Sequence, residues 1–429
     1  MLVANRRIAQ GQSASIHTEE AAAFDSCSAY HSSPEILFLS HCSPFPPDKG
    51  ERIRAHWLFE QLARRFRIHL VCFAKSAEEE AHAREMAPRC ASLHVERLNP
   101  ALALAKAALS FASGSCLTTS YYATARVRRH IQELCTSSGV EAVFCYSSAM
   151  APLAPSGVPV FLDFVDMDSE KLVQYSDTRQ PALAYLIEAL RLRRIEAAHA
   201  KAAVRSFVAT GQELRILRSL APGAHAEVVE NGVDFRYFDP AAVQLPPELA
   251  GKHYVLFTGV MSYFPNVDGV KRFAETIFPR LRVRDPRLEF LIVGRNPSKE
   301  VRALGQLDGI TVTGSVPDIR PYVAGAKRVV VPLEIARGIQ NKVLEALAMG
   351  KPVLCSPAVF HTFGDSAPLG ASLCRTAEDY AAALDRNEPL CSPEIRSAAS
   401  ARFYWKRNLE PVVDAIEFSA LERRAVHAI

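Results

Sequence analysis

Residues 329–356 read VVVPLEIARGIQNKVLEALAMGKPVLCS. A short apolar run at 329–333 predicts a buried strand. A loop carrying Gly338 follows. From about 339 to 349 the apolar residues Val343, Leu344, Leu347 and Ala348 fall at helical spacing. Gly350 stands where a helix C-cap belongs, and Pro352 just beyond it cannot continue the helix. A second apolar strand is predicted at 352–355.

The chemistry of this stretch lies at the front of its helix. Free N–H groups and the macrodipole make a helix start an anion site. Gly338 and Asn341 sit at that start, and Arg337 and Lys342 add two cations. Glu345 is three residues beyond Lys342, so it shares a face with it one turn deeper. At a rise of about 1.5 Å per residue, Glu345 stands several ångströms inside the helix start. That is roughly the step from a diphosphate to the ribose hydroxyls of a nucleotide, and a carboxylate accepting from two vicinal hydroxyls is a common way to hold a ribose. The plainer alternative is a surface helix with an i,i+3 ion pair. Strand, glycine loop, basic helix start, inner glutamate and Gly-Lys-Pro exit together favour the nucleotide site.

The same stretch resembles the E-x7-E region of the family-4 retaining glycosyltransferases, which have the GT-B fold. In that family the helix binds the nucleotide diphosphate and ribose of a sugar donor. The second Glu of the motif falls on Glu345. The first falls on Arg337, a departure, because the family's Glu contacts donor-sugar hydroxyls and an arginine favours an anionic group. Glu334 is near but out of register by three. The wording ARGIQNKVLEALAMGKPV resembles the sugar transferases associated with exosortase (PEP-CTERM) and exopolysaccharide systems.

Composition narrows the class. A chain of 429 residues with 49% hydrophobic and 22% charged residues is long enough for two ordinary globular domains and is neither disordered nor fibrous. A net charge of +4 permits an anionic donor or a membrane surface without requiring either, and no nucleic-acid partner is expected. The ten cysteines form no C-x-x-C pair, and Cys72, Cys145 and Cys355 lie in apolar strands. That pattern predicts reduced, buried thiols in a cytoplasmic protein and no metal site. No stretch reaches the roughly 18 apolar residues of a transmembrane helix. Residues 1–33 lack a continuous hydrophobic core and read as a flexible extension.

Along the chain, strands predicted at 35–40 and 68–73 flank a helix at 51–66, a βαβ opening that implies a parallel sheet. Gly50, with Lys49, Arg52 and Arg54, makes the loop between them basic and able to approach a ligand closely. Residues 97–122 are apolar and helix-prone in their first half, read either as a partly buried helix or as an interfacial segment beside a lipid-linked acceptor. A basic helix at 123–135 follows. A strand at 158–164 leads into Asp163, Asp166 and Asp168, an acidic strand end of the kind at which open α/β sheets bind ligands. Asp166-x-Asp168 has the form of a metal-binding D-x-D, but the resemblance argues against metal; these carboxylates are acceptor-side candidates, orienting hydroxyls or serving as a base, with helix capping as the plain alternative. A helix is predicted at 182–202. Asn231-Gly232 marks a tight turn, and its phrase is similar to the N-G-V-D…F-P linker of the resembled family. A polar link at 241–251 leads into a second run: strand 254–258 with Gly259, helix 269–284, strand 289–293 with Arg295 behind it, and strand 310–313. The loop after strand 254–258 lacks the Arg and Lys that many relatives place there. Lys271, Arg272, Arg295 and Arg337 are the substitutes, Arg337 with Lys342 favoured. An amphipathic helix at 404–420 contains Trp405, and in GT-B proteins the last helix crosses back to the first domain.

The expectation is therefore an α/β protein of the GT-B kind, two Rossmann-like doubly wound domains facing each other across a cleft. The acceptor-side domain spans 34–240, with residues 400–429 crossing back onto it, and the nucleotide-sugar domain spans 241–399. The resemblance implies a cytoplasmic, retaining, metal-independent hexosyltransferase without a cofactor. It would use a UDP- or GDP-linked donor and a glycan or lipid-linked acceptor, with contact at the inner membrane face. Arg337, Lys342, Asp166 and Asp168 are the candidate catalytic residues; Glu345, Gly338, Asn341, Gly50, Gly259 and Arg295 are the candidate donor-binding ones. A nucleotide-sugar epimerase on the same fold and a non-catalytic assembly partner are the competing readings.

Overall fold

The computed structural model describes residues 33–427 apart from 365, 387 and 388, so the extension expected at 1–33 lies, but for its last residue, outside the described residues. Strands β1 (Glu35–Ser40), β2 (Arg67–Ala74), β3 (Ser92–Arg97), β4 (Val140–Tyr146), β5 (Val160–Val165), β6 (Arg205–Val208) and β7 (Ala226–Val228) form one sheet. Its order is β3-β2-β1-β4-β5-β6-β7. Strands β8 (Tyr254–Thr258), β9 (Glu289–Val293), β10 (Ile310–Gly314), β11 (Arg328–Val331), β12 (Val353–Cys355) and β13 (Ala371–Leu373) form the other, ordered β10-β9-β8-β11-β12-β13. The pairings within both sheets are parallel.

Continuous apolar runs dictate this layering, because a parallel sheet covered by helices buries both faces of its strands. In β1, Ile36 and Phe38 face one core and Leu37 and Leu39 the other, all fully buried. Each such side chain contributes about 2 kcal/mol relative to exposure. Strand order reverses between β1 and β4 in the N-terminal half and between β8 and β11 in the C-terminal half. Open α/β sheets bind ligands beyond the carboxyl ends of strands at such reversals.

Several boundaries differ from the sequence expectation, each for a local reason. The first helix is Gly50–Leu62 and stops short of Phe66, which is buried by a turn instead. The helix expected at 269–284 begins at Phe264, with Pro265 tolerated in its first turn, and widens into a π turn at Phe273–Ile277. The helix expected at 339–349 is Asn341–Ala348; Gly338 at φ +63° and an extended Gln340 hold the two preceding residues out of it. Residues 97–122 form two helices, Pro100–Ala112 and Leu117–Tyr122, separated by Gly114 at φ +93°.

The last helix, Trp405–His427, packs on the N-terminal sheet: Trp405, Leu409, Val412, Val413 and Ile416 join the core of Phe38 and Leu58. Trp405 stacks on Trp57 with centroids 6.1 Å apart. The chain thus passes between the halves twice, and the two passages lie together. Val233 N–H donates to the Phe403 carbonyl at 2.9 Å, and a Cβ on Gly232 would meet the Trp405 ring at 2.7 Å.

Candidate active site

The carboxyl ends of the two sheets face each other across a cleft of about 890 Å³ lined by both halves. All ten candidate catalytic and donor-binding residues, Gly50, Asp166, Asp168, Gly259, Arg295, Arg337, Gly338, Asn341, Lys342 and Glu345, line it.

On the C-terminal lip, β11 delivers the chain to the loop 332–340, and the helix Asn341–Ala348 points its N-terminus into the cleft. Its apolar face, Val343, Leu344 and Leu347, is buried in the C-terminal core. Gly350 closes it at φ +68°. Lys342 Nζ donates to Asn266 Oδ1 at 2.8 Å and lies 4.4 Å from the centre of the Phe257 ring. Burial pulls the Lys342 ammonium down to about 7, opposed by the charge of Glu345. Burial likewise lifts the Glu345 carboxyl to about 7, opposed by Lys342. The two are coupled through space, yet the ammonium bonds Asn266 and not the carboxylate, so the simple surface ion pair is replaced by two half-buried charges open to a ligand. Gly259 permits this arrangement: a Cβ there would stand 2.7 Å from Asn266 Nδ2 and 3.3 Å from Lys342 Nζ. Gly294 in turn backs Gly259 so closely that a Cβ would overlap the Gly259 carbonyl.

Opposite stands the start of the helix Gly50–Leu62. A Cβ on Gly50 would lie 3.6 Å from Asn341 Nδ2. Two helix N-termini therefore converge on one point, and their unpaired N–H groups and dipoles add there.

The candidate cations separate by role. Arg337 is 10% exposed, and its guanidinium reaches Glu213 at 3.3 Å and Gln174 at 3.3 Å, both in the N-terminal half. Arg295 reaches back to Asp48, donating to its carboxylate at 2.7 Å and its carbonyl at 2.5 Å. Both arginines span the cleft. The expected pairing of Arg337 with Lys342 on one anion is thus not the arrangement found; Arg337 is already matched to a carboxylate. Arg272 pairs with Glu334, and neither these two nor Lys271 lines the cleft.

On the N-terminal lip, β5 carries Asp163 and Val165 at its end and leads into Asp166 and Asp168. Asp163 is fully buried and accepts from Arg54 Nε at 2.8 Å. The same guanidinium donates to the Val229 carbonyl at 2.8 Å and Asn231 Oδ1 at 2.9 Å, tying the first helix, β5 and the interdomain passage together. Val165 adopts φ +64°, an uncommon conformation for a β-branched residue, and thereby turns Asp166 across the cleft toward Gly338. A Cβ on Gly338 would strike Asp166 Oδ1 at 2.4 Å. That oxygen is buried without a hydrogen-bond partner. Burial, reinforced by Glu213, raises the Asp166 carboxyl to about 7. Asp168 opens the helix Asp168–Thr178 and faces Lys171; burial works against the Lys171 ammonium, but Asp168 together with Tyr263, Tyr175 and Asp166 outweighs it and holds the ammonium above its ordinary value. Among the described residues no three His, Cys, Asp or Glu side chains form a metal-holding group, and the D-x-D pair gains no third ligand.

Sequence reasoning missed several cleft residues. His41, directly after β1, stacks on Tyr146 at 5.4 Å and faces Glu51 at 3.6 Å. Burial alone would lower its imidazolium, but Cys42 and Glu51 hold it well above the usual histidine value. The hydrogen bond from His41 brings the Glu51 carboxyl down to about 2. Ser147, directly after β4, sits at φ +85°. Tyr122, Lys171 and Asn266 line the cleft as well. Reading the residue after every strand end, and not only after β5, would have found His41 and Ser147.

Residues 252–386 match the family described as Glycosyl transferases group 1. No curated protein matches the chain. Among solved structures, the chain is similar to sucrose-phosphate synthase from Thermosynechococcus elongatus, at 17% identity over 92% of this chain and 100% of that one, with a TM-score of 0.63. It is similar to HepE of Anabaena in complex with UDP and glucose, at 14% identity over 90% and 99%, with a TM-score of 0.62. It is also similar to WaaG, a glycosyltransferase involved in lipopolysaccharide biosynthesis, at 13% identity over 90% and 98%, with a TM-score of 0.55. The two parallel-sheet halves with their facing carboxyl ends are the GT-B fold.

Proposed function

We propose that the chain is a glycosyltransferase that moves a sugar from a nucleoside-diphosphate donor to a glycan or lipid-linked acceptor. The observation that carries this is the convergence of two helix N-termini over Lys342, with Glu345 one turn deeper. This arrangement suits a diphosphate at the helix starts and a ribose against Glu345. The group 1 match covers the half that holds Lys342 and Glu345. A similar structure, HepE, is described in complex with UDP-glucose, which supports a UDP-linked donor, with GDP as the competing base.

In this reading departure of the diphosphate is the step the C-terminal lip assists. Negative charge grows on the leaving oxygen, and the Lys342 ammonium and two helix dipoles stabilise it. Asp166 and Asp168 face the acceptor side and orient or deprotonate the incoming hydroxyl, Asp166 being poised near neutrality. Arg337 and Arg295 hold the halves together across the cleft, which limits donor hydrolysis by water. Retention of anomeric configuration, independence from metal and a role in exopolysaccharide or other surface-polysaccharide synthesis follow from the resemblance of the helix stretch to the family-4, exosortase-associated transferases.

The test is thermal stabilisation by UDP, GDP and their sugar conjugates, with and without magnesium. A shift with one nucleotide and no magnesium requirement is expected, and it names the base. No shift with any nucleotide would sink the reading. Anomer-resolved NMR of the product then separates retention from inversion, and transfer from epimerisation.

A further inference from the structure

The helix Pro100–Ala112 is inverted relative to an ordinary surface helix. It buries two alanines, Ala103 and Ala107, and exposes its larger side chains: Leu102 at 55%, Leu104 at 55% and Leu109 at 73%. Water solvates this face poorly, since each leucine gains on leaving water. The helix Ala182–Ala202 repeats the pattern along one stripe, with Leu183 at 68%, Leu186 at 39% and Leu190 at 56% exposed. The two helices are clasped together. Arg191 donates to the carbonyls of Phe111 at 2.6 Å and Ser115 at 2.9 Å, and its guanidinium lies 4.3 Å from the Phe111 ring centre. Six exposed leucines thus belong to one region of the N-terminal half.

The charges of these helices are one-sided. Pro100–Ala112 carries a single charged residue, Lys106, which is exposed. In Ala182–Ala202 the only carboxylates, Glu188 and Glu196, are buried and engaged: Glu188 accepts from the Leu117 and Thr118 N–H groups, Glu196 from Ser169. Arg194 and Lys201 are exposed on the same helix. An exposed apolar face with cations and no exposed carboxylate complements an anionic bilayer surface, into which leucines insert while lysine and arginine reach the phosphates. No helix among the described residues is long and apolar enough to cross a membrane, so the fitting mode is docking on the surface.

Between the two helices lies Leu117–Tyr122, capped by Glu188, and its Thr118 and Tyr122 line the cleft. We propose that helices 100–112 and 182–202 form a docking face for anionic phospholipid that seats the N-terminal wall of the cleft at the bilayer surface. The docking face stands by itself; that the wall at the surface receives a lipid-linked acceptor rests on the transferase reading.

The experiment is flotation of the full chain with vesicles of phosphatidylcholine alone or mixed with phosphatidylglycerol, with nucleotide-induced thermal stabilisation measured in parallel. Wild type is expected to float with the mixed vesicles and weakly with phosphatidylcholine. The triple substitution Leu102→Ser, Leu109→Ser, Leu186→Ser should lower partitioning about a hundredfold or more. Lys106→Glu with Arg194→Glu should lower it about tenfold, on the anionic vesicles only. All these side chains are exposed, so the thermal midpoint and nucleotide response should stay as in wild type. Equal behaviour on both vesicle types, or triple-variant binding equal to wild type, would overturn the docking face. So would a wild-type dimer in vesicle-free solution that the triple substitution makes monomeric, because the face would then belong to a second copy. Vesicle binding without a nucleotide response would keep the docking face and remove the transferase; the converse would do the opposite.

Discussion

On the C-terminal lip of the cleft, Gly338, Asn341, Lys342 and Glu345 come from one loop and the helix it feeds. On the N-terminal lip, His41, Glu51, Tyr122, Tyr146, Asp166 and Lys171 come from separate elements spread between positions 41 and 171. The charges differ as well. Lys342 and Glu345 are both drawn toward neutrality by burial, so each gains from a ligand that restores its charge. On the other lip Arg54 is matched to Asp163 and His41 to Glu51, so those charges are already stabilised within the protein. One lip is poised for a ligand; the other is a braced scaffold that aims a few groups. The contrast teaches that mutations should cost binding on one side and folding on the other.

The sharpest break of this contrast is in the scaffold. Asp163→Ala strands the fully buried Arg54 guanidinium and should cost about 3–5 kcal/mol of stability, read from chemical denaturation. A loss no larger than that of a surface substitution would mean that the N-terminal lip is not braced as described.

Asp166→Asn should divide the lips by function. Transfer should fall about a hundredfold, the ordinary worth of a positioned acid or base, while nucleotide affinity stays within about twofold. Equal losses in both would place Asp166 on the donor side.

Lys342→Ala should weaken nucleoside-diphosphate binding by about 2 kcal/mol, near thirtyfold, in calorimetric titration. The fold should tolerate it, because wild type itself carries the desolvation of this ammonium.

The pH profile sharpens the same point. On the proposed reading, diphosphate binding needs Lys342 as ammonium, lost above about 7, and ribose binding needs Glu345 as carboxylate, lost below about 7. Affinity should therefore peak near pH 7 and fall about tenfold per unit on either side. Stability of the ligand-free protein should show the reverse contribution. Glu345, raised from 4.5 to about 7, loses stability as pH rises through that window, and Lys342, lowered from 10.5 to about 7, regains it above. Glu345→Gln should abolish the acid limb of the affinity profile alone.

The smallest effect is expected at Arg337. The Glu213 carboxyl opposite it is held above its ordinary value by burial and Arg337 opposes that shift, so Arg337→Gln moves it further toward the neutral form. The cost should be about 1 kcal/mol, a few degrees of thermal midpoint.

What was legible follows the same division. The helix stretch at 329–356 could be read directly because its site residues are neighbours in sequence, and helical spacing alone puts Lys342 and Glu345 on one face. Apolar runs likewise announced β1, β8 and their parallel partners. His41 against Tyr146, Gly50 against Asn341 and Arg337 against Glu213 could not be read, since each depends on how two strands or two halves are brought together. Arg337 is the instructive case: its residue type suggested an anion-binding role, and only the packing reveals that the anion it meets is Glu213. The exposed leucines at 102, 104 and 109 were visible as an apolar stretch, but the inversion that leaves them outside depends on Ala103 and Ala107 facing the core.

The closing helix has a consequence for biosynthesis. Trp405, Leu409, Val412, Val413 and Ile416 complete a core whose other members, such as Phe38, Trp57 and Leu58, belong to the first part of the chain to be made. Residues up to about 416 must therefore be made before this one core is complete, while the second half has nearly all its own core beforehand. Order of synthesis and order of completion are opposite, and in the interval the face that will receive Trp405 is bare. During translation that face is the natural target for a holding chaperone, and a chain ending before position 405 would lack the cover of one face of its N-terminal sheet.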